Sequence, residues 1–174
     1  MSQPRYEIID AYHQATKHHF HRYARSAGYM DWANQPTPFR RYENTVQIEL
    51  PFCSRDPDAA YSDLFTASRQ PGQPVCLDAI AAFFEFSLAL SAWNQSGGSR
   101  WPLRVNPSSG NLHPTECYLA VPEVPGLAGG IYHYNPLLHA LEQRAALNDT
   151  AWLSLGDHFG DSGFLVALST IFWR

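Results

Sequence analysis

Apolar and polar positions alternate unevenly along this chain. Between residues 77 and 93 everything except Asp78, Glu85, Ser87 and Ser91 is apolar. Such a run is too long for one strand and predicts a helix of about 25 Å at about 1.5 Å per residue. Its apolar surface wraps most of the circumference, which predicts burial on several sides. Gly97-Gly98, within residues 94–100, predicts the end of that helix and a flexible turn. Residues 116–121, 131–134 and 139–143 read as strands, the last two joined around Asn135-Pro136. By the two-residue period of a strand, Tyr132 and Tyr134 share one face and His133 takes the other. Asn148 or Asp149 can cap a helix through Leu155. Residues 163–173 are apolar enough for a buried strand. This order predicts an α+β fold with a central, mainly antiparallel or mixed sheet beside a buried core helix.

The first 75 residues have a different texture. A helix is predicted over residues 7–27, with Tyr12, Ala15, His19 and Tyr23 on one aromatic and polar face. His18 and His21 are three apart and could share a helix face, as metal ligands do, but no cysteine or carboxylate stands at a supporting spacing. A solvated or partner-facing helix explains them as well, and no metal is expected. Residues 31–75 hold Pro36, Pro38, Pro51, Pro57, Pro71 and Pro74, which exclude a long helix. A short strand is predicted over residues 45–50. The rest reads as an extended arm, poor in aliphatics but carrying Trp32, Phe39, Tyr42, Phe52, Tyr61 and Phe65. Aromatics of this kind suit an interface. A two-fold homodimer is therefore expected, against the simpler alternative of an arm folded over its own domain. Domains are expected at 1–75, helix plus arm, and at 76–174.

Composition narrows the function. The 174 residues are 45% hydrophobic and 16% charged, enough for one domain with a real core. A net charge of −4 argues against a nucleic-acid binder. Lys17 is the only lysine. An anion site must then use arginine, backbone N–H groups or hydroxyls, and lysine-based catalysis has almost no candidates. Cys53, Cys76 and Cys117 form no CxxC pair, and the first residues show no apolar signal segment. Reduced thiols in the cytoplasm are expected. No apolar run suggests a membrane span.

The densest chemistry lies between Arg104 and Pro114: Arg-Val-Asn-Pro-Ser-Ser-Gly-Asn-Leu-His-Pro. Pro107 and Pro114 bias their preceding residues away from helix. Ser108 or Ser109 can cap a short helical turn over residues 110–113. Exposed N–H groups there, two hydroxyls and the Arg104 guanidinium would suit an anion or ring carbonyls. A capped polar loop without ligand fits the same residues.

This stretch resembles the "PSxGNxxP" segment of the nitroreductase family of flavin enzymes. The run from Gly126 to Pro136, with His139 and Leu141, resembles the "GLxxGIYxYxPxxHxL" hairpin of its SagB-type dehydrogenase branch, which includes azoline dehydrogenases. Residues 12–17 and 31–36 are similar to the same branch. The resemblance covers almost the whole chain and implies a nitroreductase-like fold, an FMN cofactor and oxidoreductase activity on a small-molecule or peptide substrate. It implies FMN contacts from Arg104, Ser108, Ser109 and Asn111, with Pro107 shaping the turn. His113 is open between flavin contact and packing under the turn. Family members usually pair to build flavin sites between them. They also carry an arginine-rich segment where this chain has only Ser68-Arg69, and they continue beyond the last predicted strand. SagB-type proteins commonly contain two nitroreductase-like halves, of which this chain resembles the first. The lysine-tyrosine pair associated with azoline oxidation has no identifiable counterpart, and no catalytic residue is assigned. A non-catalytic half acting as a binding or assembly module is the alternative.

Overall fold

The computed structural model describes residues 5–26, 28–29, 31–54, 60–65, 74–159 and 163–172. The chain divides into two compact units, Met1–Gln35 and Pro36–Arg174. The division falls after Gln35, so much of the arm expected to reach residue 75 belongs with the second unit. The Ser68-Arg69 pair lies outside the described residues.

In the first unit, helix α1 spans Arg5–Thr16 and stops well short of residue 27. The reason lies in how its last carbonyls are satisfied. A helix leaves its final C=O groups without internal partners, and cations near that end are favourable. Here the chain folds back at residues 19–22, and Arg22 donates to the carbonyls of Gln14 and Ala15 at 2.9 and 3.3 Å. His19 Nε2 reaches the Gln14 carbonyl at 2.8 Å. His18 and His21 therefore lie beyond the helix, not on one of its faces.

The second unit is built on a five-stranded antiparallel sheet in the order β1-β6-β5-β4-β7. The strands are β1 (Gln47–Glu49), β4 (Thr115–Val121), β5 (Gly130–Asn135), β6 (Ala140–Ala146) and β7 (Leu165–Thr170). Helix α2 (Leu77–Leu88) lies against one face. Ile80, Ala81 and Phe84 bury there with Cys117, Leu119, Val121, Tyr132, Tyr134 and Leu141. Phe84 stacks on Tyr134 at 4.3 Å. Burial pushes the Cys117 thiol up to about 12, so it stays a neutral part of this core. The face expected for Tyr132 and Tyr134 is the observed one, and His133 takes the opposite side. Helix α3 (Asp149–Phe159) starts with the Asn148 carboxamide accepting the Ala151 N–H at 2.8 Å. Among the described residues, no helix is long and apolar enough to cross a membrane.

Three expectations need correction. The helix predicted over residues 77–93 ends at Leu88, and Leu90–Ser96 forms strand β2, paired with β3 (Ser99–Arg104). Gly97-Gly98 is the two-residue turn of this hairpin, with Gly97 at φ 56°, where a tight hairpin needs a left-handed residue. A continuous apolar run does not by itself separate helix from strand, and here the turn chemistry decides. Secondly, α2 is buried on one face, not several: Phe83 and Phe86 are 38% and 49% exposed. Thirdly, β7 is an edge strand with Leu168 65% exposed, not a buried one, because it has one neighbour and extends past the surface that α2 covers.

The β5–β6 turn carries His139 at φ 48° and almost fully buried. Its ring stacks on Phe52 at 4.3 Å, and its Nδ1 lies 2.8 Å from the Tyr134 hydroxyl. Burial holds the Tyr134 phenol protonated, so it donates to Nδ1. Burial lowers the His139 pKa below its ordinary 6.5. The unfolded chain then takes up a proton below about pH 6.5 that the native ring resists, so this contribution is complete above that pH and declines as pH falls. Urea unfolding from about pH 7 to about pH 5 should show a smaller acid-side loss in His139→Asn, a residue that tolerates the left-handed backbone.

Candidate functional site

The turn from Arg104 to Pro114 joins β3 to β4. Its short 3-10 segment, Ser109–Asn111, contains Gly110 at φ 65°, and Asn111 and His113 are also left-handed, at φ 56° and 49°. Glycine and asparagine adopt this region readily, but histidine pays for it. The segment is therefore a single irregular turn and not the start of a regular helix. Ser108 does not cap the segment in the usual way; its hydroxyl accepts the His113 N–H at 2.8 Å. His113 packs beneath the turn, 2% exposed, with Nε2 3.3 Å from the Pro102 carbonyl. Pro107 and Ser109 are exposed and Asn111 is half-buried.

Arg104, whose guanidinium is expected as a donor for an anion or for ring carbonyls, is a buried residue. It is 7% exposed, and its Nη2 donates to the Pro38 carbonyl. Its guanidinium lies 5.1 Å from the Phe39 ring centroid, and Phe39 in turn meets Trp93. Arg104 and Glu116 line one small cavity of about 10 Å³, together with Thr115 and Tyr134. That is room for about one water, not for an isoalloxazine ring. A flavin at this turn would meet the exposed Ser109 hydroxyl and the Asn111 amide from outside. Ser108 and Arg104 already serve the protein's own backbone. Of the four residues, Ser109 and Asn111 are therefore the ones left with accessible side chains.

A second constellation lies on the sheet face opposite α2. Antiparallel register sets Tyr118, His133 and Glu142 side by side on β4, β5 and β6. His133 is fully buried, with Nε2 2.7 Å from Glu116 Oε2 and Nδ1 3.0 Å from Glu142 Oε2. Hydrogen bonds at both ring nitrogens require two protons among these three groups. Either the ring carries both, or one carboxyl carries one. Asn135 Nδ2 donates to Glu142 Oε1 at 2.8 Å, and the Tyr42 N–H donates to Glu142 Oε2 at 3.2 Å.

A strap over residues 36–46 closes this face. The Tyr42 ring meets the His133 ring edge-on at 5.1 Å, and its hydroxyl shares a 2.8 Å hydrogen bond with Tyr118. Arg40 donates to both phenol oxygens, and Arg144 lies 3.7 Å from the Tyr42 ring centroid. Burial pushes the Tyr118 phenol up, and the bond to Tyr118 raises Arg40 further. Both groups keep their protons. His133 is thus enclosed beneath Tyr42, and the cluster ties the strap to the sheet. The residue pattern announced the face of His133, but its partners needed the register.

Among solved structures, a protein from Anabaena variabilis described as a "putative nitroreductase" superimposes on 95% of this chain, with a TM-score of 0.65 and 26% identity. The chain has a nitroreductase-like fold. It spans 32% of that protein's length. No family model and no curated protein matches the chain. In this nitroreductase-like unit the Arg104–Pro114 turn stands at the start of strand β4, just before the buried Glu116.

Truncating Glu142 to Ala would leave His133, the Asn135 amide and the Tyr42 N–H facing an empty site. Urea unfolding should register a loss of about 3–5 kcal/mol, the usual cost of orphaning a buried ionic partner.

Proposed function

We propose that this chain belongs to an FMN-dependent oxidoreductase of the SagB-type dehydrogenase branch. The observation that carries the reading is the nitroreductase-like fold over nearly the whole chain, with the Pro-Ser-Ser-Gly-Asn turn exposed at the end of β4. Bound FMN would carry the hydride, and the protein would hold and tune it. Ser109 and Asn111 offer a hydroxyl and an amide to flavin oxygens. Pro107 and Ser108 shape the turn, while Arg104 supports it from beneath. The substrate class is a small molecule or peptide, and the three free cysteines suit a reducing cytoplasm.

The alternative, a non-catalytic binding or assembly module, is favoured by one observation: the cavity beside Arg104 is far too small for a flavin ring. A visible spectrum of the purified chain followed by FMN titration separates the two. Binding should occur and weaken about tenfold when Ser109 and Asn111 are both changed to Ala, as for loss of one to two hydrogen bonds. A colourless protein that ignores added FMN would favour the module.

A homodimer is part of the same proposal. Phe39 packs within its own unit, so the support shifts to the exposed Phe83 and Phe86 on α2 and to Tyr61 and Phe65. Light scattering behind a sizing column should give a dimer mass; a monomer at high concentration would count against a flavin site shared between copies.

A further inference from the structure

We propose that the outer edge of β7 is a self-pairing surface: two copies of the chain join antiparallel along Leu165–Thr170, so that their sheets run on into one across a two-fold axis. This rests on the homodimer reading and deepens it by naming the surface that carries it.

The two edges of the sheet are built differently. β1 is three residues long and carries the exposed Glu49. Short length and charge protect an edge strand, whose outer N–H and C=O groups otherwise invite another strand. β7 has neither protection. It is six residues, Leu-Val-Ala-Leu-Ser-Thr, without charge, proline or glycine. Five of the six are exposed, and among the described residues β4 is the strand's one neighbour.

The surface beside this edge is apolar as well. Register places Val166 opposite Leu119 and Leu168 opposite Cys117, so both lie on the α2 side of the sheet. Phe164 precedes them, and its ring meets Phe83 of α2 at 5.3 Å. Helical spacing puts Phe86 on the same flank of α2 as Phe83. Asp78 and Glu85 fall on the other flank, beside residues 51–54. Phe83, Phe86, Val166 and Leu168 thus form an exposed, uncharged strip that ends at the outer edge. Phe172, almost wholly exposed, follows the strand.

A second copy of the chain fits this surface for two reasons. A two-fold axis sets each residue near its own equivalent, so a charge on the strip would meet a like charge. The strip has none, although 16% of the chain is charged. The other reason is extent. The exposed parts of the four side chains come to about 300 Å² per copy, and the strand backbone with Ala167, Ser169, Thr170 and Phe172 brings this toward the ~800 Å² per partner of a stable interface. Antiparallel pairing also carries both strips to one junction, on the same side of the joined sheet. Residues opposite each other in a sheet share a face. The axis must therefore pass through a residue, Ala167 or Leu168, at the middle of the strand.

The test uses the full chain. Light scattering should give a dimer mass for the wild type. Leu168→Lys changes an exposed position and should weaken the dimer about tenfold or more by bringing like charges to the axis. With Cys53 replaced by Ser, Ala167→Cys and Leu168→Cys should each cross-link to their own copy through a short bis-maleimide. Glu49→Cys, on the protected edge, should not. Those amide hydrogens of residues 165–170 that do not bond β4 should exchange faster on dilution. A dimer that ignores Leu168→Lys and gives no cross-link at 167 or 168 would overturn the β7 contact and leave the homodimer reading to another surface. A wild-type monomer would overturn both. Protection of the outer amides that is independent of concentration would assign the edge to another segment or another protein, and would overturn self-pairing.

Discussion

The buried contact of His133 with Glu116 and Glu142 governs how this sheet can be covered. Charged groups removed from water must have partners, or they cost several kcal/mol each. The three side chains come from three adjacent strands, so they satisfy one another only in the observed register. A slip of one residue in any strand would turn its member toward Phe84 and Leu119. The cluster thus fixes register more sharply than an apolar face would, since apolar packing tolerates exchange of one hydrophobe for another.

The two faces of the sheet consequently follow different rules. On one side α2 supplies Ile80, Ala81 and Phe84 to a close-packed aromatic and aliphatic core. On the other, no helix among the described residues covers His133, and an irregular strap does so instead. The body of a helix would bring its backbone groups already paired, whereas the strap has an N–H at Tyr42 to donate to Glu142. Proline-rich, extended chain has those groups available. The poverty of aliphatics in the strap is what its covering role requires.

Likeness in fold and chemistry of the site are separate matters in this protein. The nitroreductase-like superposition locates the Arg104–Pro114 turn within an architecture, but fold alone does not supply activity. The turn itself divides its residues between two tasks. Ser108, His113 and Arg104 stabilise a backbone with three left-handed positions, and Ser109 and Asn111 remain outward. The arginine is the instructive case. A guanidinium in a polar loop suggests an anion, yet this one is enclosed by Phe39 and the Pro38 carbonyl, which come from more than 60 residues earlier in the sequence.

Local pattern was sufficient wherever one element decided its own form. The period of two placed Tyr132 and Tyr134 opposite His133, Asn148 opened α3, and the helix beginning at Leu77 was plain from its apolar run. Where two conformations suited the same residues, pattern failed: Leu90–Trp93 could continue a helix or pair with β3, and long-range pairing across Gly97-Gly98 chose the strand. The exposure of β7 depended on which strands α2 reaches, and the end of α1 depended on a chain reversal that brings Arg22 back to Gln14. The carboxylates at 116 and 142 could be read as strand residues, but not as partners of one imidazole. Sequence carries the identity and spacing of side chains; only the paired strands bring residues 116, 133 and 142 within hydrogen-bond distance, and only the folded strap removes them from water.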